Sequence, residues 1–321
     1  MKILIIKSKG QPVRLLKDEH IEKINQVDES IEVVATFDEK EIARHATDAD
    51  VIACSPRDFP SIDDAKNLKW VHSFSAGVDR ILTPKVENSD IVLSNSSGIH
   101  ATPIAEHIIG FMLVFTRGFF GTFRNQQKKL WQKNEELTEL RDKNVLILGL
   151  GRIGTEAARL ANCFGAHVFA VDFVNKDKPE FVEELKTPGQ LGEMLGRADF
   201  VALCLPYTKE NHHFFDRAKM EKMKSSAVLI NIGRGGVVHE QELIEALNDK
   251  VIAGAGLDVT EEEPLPEASP LWGMENVVIT PHHSGLSERY MDRAIDRFCL
   301  NIRAFLAGER LPNLVDKELG Y

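Results

Sequence analysis

Three short segments hold side chains that could do chemistry, and each is predicted to follow a strand. In Ile230-Asn-Ile-Gly-Arg-Gly-Gly236 an arginine, Arg234, sits among glycines. A solvated charge explains that setting poorly, whereas the guanidinium fork fits a carboxylate through two parallel hydrogen bonds. Gly256-Leu-Asp-Val-Thr-Glu-Glu-Glu-Pro264 supplies Asp258 and the run Glu261 to Glu263. Taken alone, that run reads as a solvated acidic turn, and Asp258 as a site residue or a strand-end cap. Thr280-Pro-His-His-Ser-Gly285 places His282 and His283 directly after a proline. Histidine is the side chain best suited to moving a proton near neutral pH, with a satisfied structural role as the other reading. Open α/β sheets bind their ligands at the carboxyl ends of strands, where all three segments are expected to lie.

A fourth signal says what such a sheet would hold. The apolar stretch Val145-Leu-Ile-Leu148 runs into Gly149-Leu-Gly151-Arg152-Ile153-Gly154, and a helical run, Thr155 to Phe164, follows at once. A second apolar strand, His167 to Val171, ends in Asp172. Strand, glycine turn, helix, strand and acid is the dinucleotide-binding order. Gly149 allows the tight turn, Gly151 leaves room for a pyrophosphate, and Gly154 lets helix and strand pack closely. The helix N-terminus offers free N–H groups and partial positive charge to the anion. Asp172 is placed to accept from a ribose 2′-hydroxyl and would repel a 2′-phosphate, so NAD is favoured over NADP. Lys176 and Lys178 follow and pull against that preference.

The chain has 321 residues, 43% of them hydrophobic, which suggests two globular domains with sizeable cores. Lys and Arg number 39 against 49 Asp and Glu, giving a net charge of −10. No basic run stands out, which argues against nucleic acid and acidic membrane surfaces as partners. Cys54, Cys163, Cys204 and Cys299 are widely spaced among apolar neighbours and read as buried reduced thiols, not as a disulfide framework or a zinc site. Glu106 and His107 resemble a metal pair, but their spacing matches no zinc motif, and no metal is expected. The apolar run at Met1 to Lys7 is too short for a signal peptide, and no run reaches transmembrane length, so a cytoplasmic location is expected.

Two strand–helix series are predicted. The first has strands at 3–6, 31–35, 51–54, 70–73 and 91–93, without a glycine fingerprint. The second has six, at 145–148, 167–171, 200–205, 227–232, 253–257 and 277–280. Near-continuous apolar runs of this kind indicate parallel sheets buried on both faces. The fold expected is α/β, with two doubly wound parallel-sheet domains. A Rossmann NAD domain, residues 99–285, is inserted into a discontinuous flavodoxin-like substrate domain, residues 1–98 plus 286–321. The segment Ala101 to Phe115 is apolar nearly all round, so it must be buried between domains or between subunits, and a homodimer is expected.

Taken in order, GLGRIG, NIGRGG, LDVTEEEPLP and TPHHSG closely resemble the D-isomer-specific 2-hydroxyacid dehydrogenase family. Ser73-Phe-Ser-Ala-Gly-Val-Asp79 resembles its substrate-carboxylate loop, and Gly98 to His107 the start of its interdomain helix. The resemblance implies NAD-dependent, reversible reduction of a 2-keto acid to the D-2-hydroxy acid. It assigns Arg234 to the substrate carboxylate and carbonyl, and His282 to proton transfer. Glu263 would partner His282 and raise its pKa. His283 fills a variable position. Ser75, Ala76 and Gly77 would join Arg234 and His282 around the substrate. Arg152 and Ile153 would join the pyrophosphate turn, with Leu205 and Pro206 under a ribose. Ile232, Gly233, Arg234, Asp258 and His282 would line the nicotinamide, and Ser284 and Gly285 its carboxamide. The chain ends soon after Val315, so the regulatory domain of many phosphoglycerate dehydrogenases is not expected. Ser284-Gly-Leu286 replaces the aromatic pair that D-lactate dehydrogenases carry after the histidine, which argues against a strict lactate enzyme. Oxidation of formate or phosphite, or NADH sensing without turnover as in related corepressors, are the rival readings.

Overall fold

Short apolar strands whose residues alternate between two buried faces build both sheets of the molecule. The computed structural model describes residues 1–8, 15–133, 136–174 and 176–318. The chain forms two compact units, Met1–His100 with Leu286–Tyr321, and Ala101–Gly285.

The first unit is a parallel sheet of β1 (Lys2–Ile6), β2 (Glu32–Thr36), β3 (Val51–Cys54), β4 (Trp70–Ser73) and β5 (Val92–Asn95). Its order is β2-β1-β3-β4-β5. The period of two sends Ile3 and Ile5 to one face and Leu4 and Ile6 to the other. The first face packs on Ile295, Phe298 and Ile302 of the Tyr290–Leu306 helix. The second packs on Val78, Ile81 and Val86. Each such side chain contributes about 1.5–3 kcal/mol on burial. Past the helix, the chain returns to β5, where the Val315 N–H donates to the Leu93 carbonyl at 2.9 Å.

The second unit is a seven-stranded parallel sheet ordered β12-β11-β10-β9-β6-β7-β8. Its strands are β6 (Asn144–Leu148), β7 (His167–Val171), β8 (Glu184–Lys186), β9 (Phe200–Leu203), β10 (Val228–Asn231), β11 (Gly254–Leu257) and β12 (Val277–Ile279). The strand order reverses between β6 and β9, the switch point where such sheets open a ligand crevice. The sequence predicts six strands; the seventh, β8, is a three-residue edge strand, Glu-Leu-Lys, half-buried throughout. Its charges suit a sheet edge and hide its strand character.

The helix Ala101–Thr116 differs from expectation in what covers it. Ile104, Ala105, Ile108, Ile109, Phe111 and Met112 are buried within the second unit, against Ala157, Ala158 and Ala161 of the Arg152–Cys163 helix. Phe111 and Phe115 lie directly over Gly256 and Gly254 of β11. Small residues on both neighbours let the apolar helix sink into its own unit. A second correction concerns Cys163, which is exposed because it ends its helix on the side away from that alanine face. Among the described residues, no single helix is long and apolar enough to cross a membrane.

Candidate active site

The glycine turn begins where β6 ends, at the switch point. Gly149 has φ of +91°, which a side chain would strain, and a Cβ on Gly154 would stand 1.9 Å from the Gly149 carbonyl oxygen. The turn therefore needs glycine at both places, and it delivers the Arg152–Cys163 helix N-terminus to the strand end. Leu205 and Pro206 follow β9, and the Leu205 side chain packs against Gly149. At the tip of β7, Asp172 is 8% exposed. Its Oδ2 accepts from the Leu150 N–H at 2.6 Å and its Oδ1 from the Val174 N–H at 2.8 Å. Lys176 Nζ stands 2.8 Å from Oδ2. Burial pushes the Asp172 carboxyl up, but Lys176 and the two N–H groups outweigh it and hold it below the usual range. Residues that cradle an anion without a Cβ, beside an ionised acid, fit a dinucleotide.

Glu263 and His282 meet across the ends of neighbouring strands. His282 Nδ1 lies 2.8 Å from Glu263 Oε2, and both side chains are partly exposed. Burial pushes the Glu263 carboxyl up; the hydrogen bond and charge of His282, then the Thr260 N–H and the charge of Arg234, bring it below its ordinary value. Arg234 is thus within electrostatic reach of the pair, at the end of β10 after Ile232 and Gly233. Its guanidinium donates to the Gly233 carbonyl at 2.9 Å and is otherwise exposed. The close approach has a local cause: a Cβ on Gly235 would lie 1.9 Å from the Thr260 carbonyl oxygen, so only glycine lets the two loops touch.

Asp258 fixes the histidine turn. Its carboxylate accepts from the N–H of His283 at 3.1 Å and of Ser284 at 3.1 Å, and from the Thr280 hydroxyl at 2.6 Å. Its carbonyl accepts from the His282 N–H at 2.8 Å, and His282 itself holds φ of +49°. Gly285 closes the turn. The sequence reading missed Thr280, which also bonds His107 Nε2 at 3.0 Å. Its signal was faint: a threonine before a proline reads as an ordinary strand end. His107 thereby gains a partner within this unit.

In the other unit, the loop after β4 is pinned from below. The Ser73 hydroxyl donates to the Gly77 carbonyl at 3.1 Å, and the Asn95 side-chain amide donates to the Ala76 carbonyl at 2.8 Å. Ser75 Oγ lies 3.2 Å from the Tyr290 hydroxyl. Among the described residues, the N–H groups of Ala76 and Gly77 donate to no protein acceptor. Adjacent free N–H groups of this kind suit an anion.

A glycine turn at the switch point of a parallel sheet, with an imidazole–carboxylate pair at its strand ends, defines a dinucleotide-binding oxidoreductase. The family model for the D-isomer specific 2-hydroxyacid dehydrogenase, NAD binding domain, matches residues 109–284. The chain is 33% identical over 288 residues to a glyoxylate reductase of Thermofilum pendens, covering 87% of this chain and 85% of that one. A D-isomer specific 2-hydroxyacid dehydrogenase family protein from Aeromonas salmonicida superposes with a TM-score of 0.86 at 29% identity, covering 98% of this chain and 99% of that one. An NADPH-dependent glyoxylate/hydroxypyruvate reductase from Sinorhizobium meliloti, in complex with NADP and sulfate, gives 0.83 at 30% identity and full coverage of both. The chain belongs to the D-isomer specific 2-hydroxyacid dehydrogenase family.

Proposed function

We propose that the protein is an NAD-dependent reductase of small 2-keto acids, with glyoxylate and hydroxypyruvate first in line. The observation that carries this reading is the 2.8 Å bond between Glu263 and His282 beside the charge of Arg234. The glycine turn and Asp172 would hold the dinucleotide, which supplies a hydride to the carbonyl carbon. Arg234 would bind the substrate carboxylate and polarise the carbonyl oxygen as charge develops there, and the N–H groups of Ala76 and Gly77 would hold an anion. His282, protonated, would donate to that oxygen. Glu263 would stabilise the imidazolium before transfer, and Asp258 would keep the ring in place through the backbone. Support for the substrate class comes from the glyoxylate and hydroxypyruvate reductases among the relatives.

Asp172 supports NAD over NADP, and the paired Lys176 narrows the preference by neutralising the acid. A second copy of the chain is the proposed partner. Phe119, Phe123, Leu130 and Trp131 are exposed, Trp131 fully, and large apolar side chains left open along one stretch of chain support a homodimer.

The test is NADH oxidation with glyoxylate, hydroxypyruvate, pyruvate, phenylpyruvate and branched keto acids. Turnover with at least one small keto acid supports the enzyme. Tight NADH binding with no turnover on any would favour a sensor instead. A higher kcat/KM with NADPH than with NADH would remove the role given to Asp172.

A further inference from the structure

Beside the Glu263 loop lies a second cluster of titratable side chains that keto-acid reduction does not use. His212 and His213 are neighbours in sequence, and their rings stack with centroids 3.7 Å apart. His239 extends the stack, its centroid 4.2 Å from that of His213. One ring nitrogen from each of His212 and His213 and a carboxylate oxygen of Glu261 lie within 4.8 Å of one another. The shortest of these approaches is 2.6 Å, from His213 Nε2 to Glu261 Oε1.

Three further observations single the cluster out from an ordinary ion pair. His213 holds a left-handed φ of +55°, and its N–H donates to the Gly236 carbonyl at 2.8 Å. Few non-glycine residues take that conformation, and strained backbone is often found at functional sites. The buried Nδ1 of His239, at the end of the stack, has no hydrogen-bond partner. Carboxylates also gather here: the Glu261 N–H donates to Glu240 Oε2 at 2.9 Å, and the Glu240 N–H to Glu261 Oε2 at 3.4 Å.

We propose that His212, His213 and Glu261 bind a divalent transition-metal cation, Zn²⁺ by donor type. Two imidazoles and a carboxylate with an open position suit zinc, whereas magnesium and calcium favour all-oxygen sites. Ligands on a tetrahedral zinc stand about 2.0–2.2 Å from the ion and so about 3.3 Å from each other. On binding, His213 would exchange its bond to Glu261 for a shared cation. The site departs from the expectation of no metal because its ligands come from separate loops, 48 positions apart at His213 and Glu261. The proposal stands independently of the assigned reduction.

The test uses the full chain, stripped with a chelator and titrated with ZnCl₂ by calorimetry, with Co²⁺ absorption as a second readout. Wild type should bind one ion at this cluster in the micromolar range. His213→Asn keeps a residue that tolerates left-handed backbone, and Glu261→Gln keeps the shape of the side chain. Each should weaken zinc binding by about tenfold or more. His107, Asp258 and His283 form another three-donor group, so His283→Asn is the control. An absence of zinc binding in wild type would overturn the proposal. So would full affinity in His213→Asn, or a loss confined to His283→Asn.

Discussion

Two histidines at the strands of parallel sheets meet opposite fates in the two units. His72 lies inside β4, fully buried. Ser94 and Ser96 hydroxyls meet its two ring nitrogens at 2.7 and 3.1 Å, and its ring stacks on Phe298 with centroids 4.7 Å apart. Burial pushes its pKa down to about 3. His282 stands beyond β12 on a left-handed turn, its side chain 48% exposed, with a carboxylate at 2.8 Å. Hydroxyl partners and aromatic packing hold one imidazole neutral as part of a core. The other meets a carboxylate in the open, where its second ring nitrogen faces solvent and substrate. The partner's chemistry, more than the position on a sheet, separates a structural histidine from one that can transfer a proton.

Replacing each histidine should break the comparison in a different way. His282→Asn should lower kcat for keto-acid reduction by about 10²–10⁴-fold, with NADH affinity nearly unchanged in a fluorescence titration. If His283→Asn has that effect instead, the assignment falls on the wrong ring. Gly235→Ala should cost about 10²-fold in kcat/KM, because the added Cβ drives the Arg234 loop away from the Thr260 loop; wild-type kinetics there would mean that their contact is incidental.

The buried histidine should appear in stability instead. Its folded pKa lies below the unfolded value near 6.5, so its neutral form stabilises the fold fully above that pH. The contribution is lost as pH falls from 6.5 toward 3. By pH 5 the loss should reach about 2 kcal/mol. Urea unfolding at pH 7 and pH 5 should show a shallower pH dependence in His72→Asn than in wild type; equal slopes would contradict a neutral His72. The smallest effect concerns the cofactor. Lys176→Ala should raise the preference for NADH over NADPH by about two- to fivefold, as an ion pair with one partner still partly exposed allows.

Much of this arrangement could be read in advance. Strands β3, β4 and β7 match their predicted bounds, because apolar runs of four or five residues bounded by polar ones are too short for a helix. The glycine turn was legible because Gly149 and Gly154 answer backbone demands at the spacing of a dinucleotide turn. Contacts between distant loops were not. Nothing local in Thr280 announces its bonds to Asp258 and His107, and β8 hides its pairing in a charged edge. The Ala101–Thr116 helix misled for a related reason: its apolar surface was plain, but the glycines and alanines that receive it lie far along the chain. Within the site, the pairing of Glu263 with His282 came through the family resemblance, since an acidic run by itself says only solvated turn.

The account depends most on Glu263 acting through His282. The decisive measurement is the pH profile of keto-acid reduction in wild type and Glu263→Gln. Glu263 is held below the usual carboxylate range and so stays ionised through neutral pH. Removing that charge from beside the proton-transferring ring should move the alkaline limit of kcat to lower pH. An unchanged limit, with kcat intact, would take Glu263 out of the mechanism and leave the 2.8 Å contact as a surface ion pair.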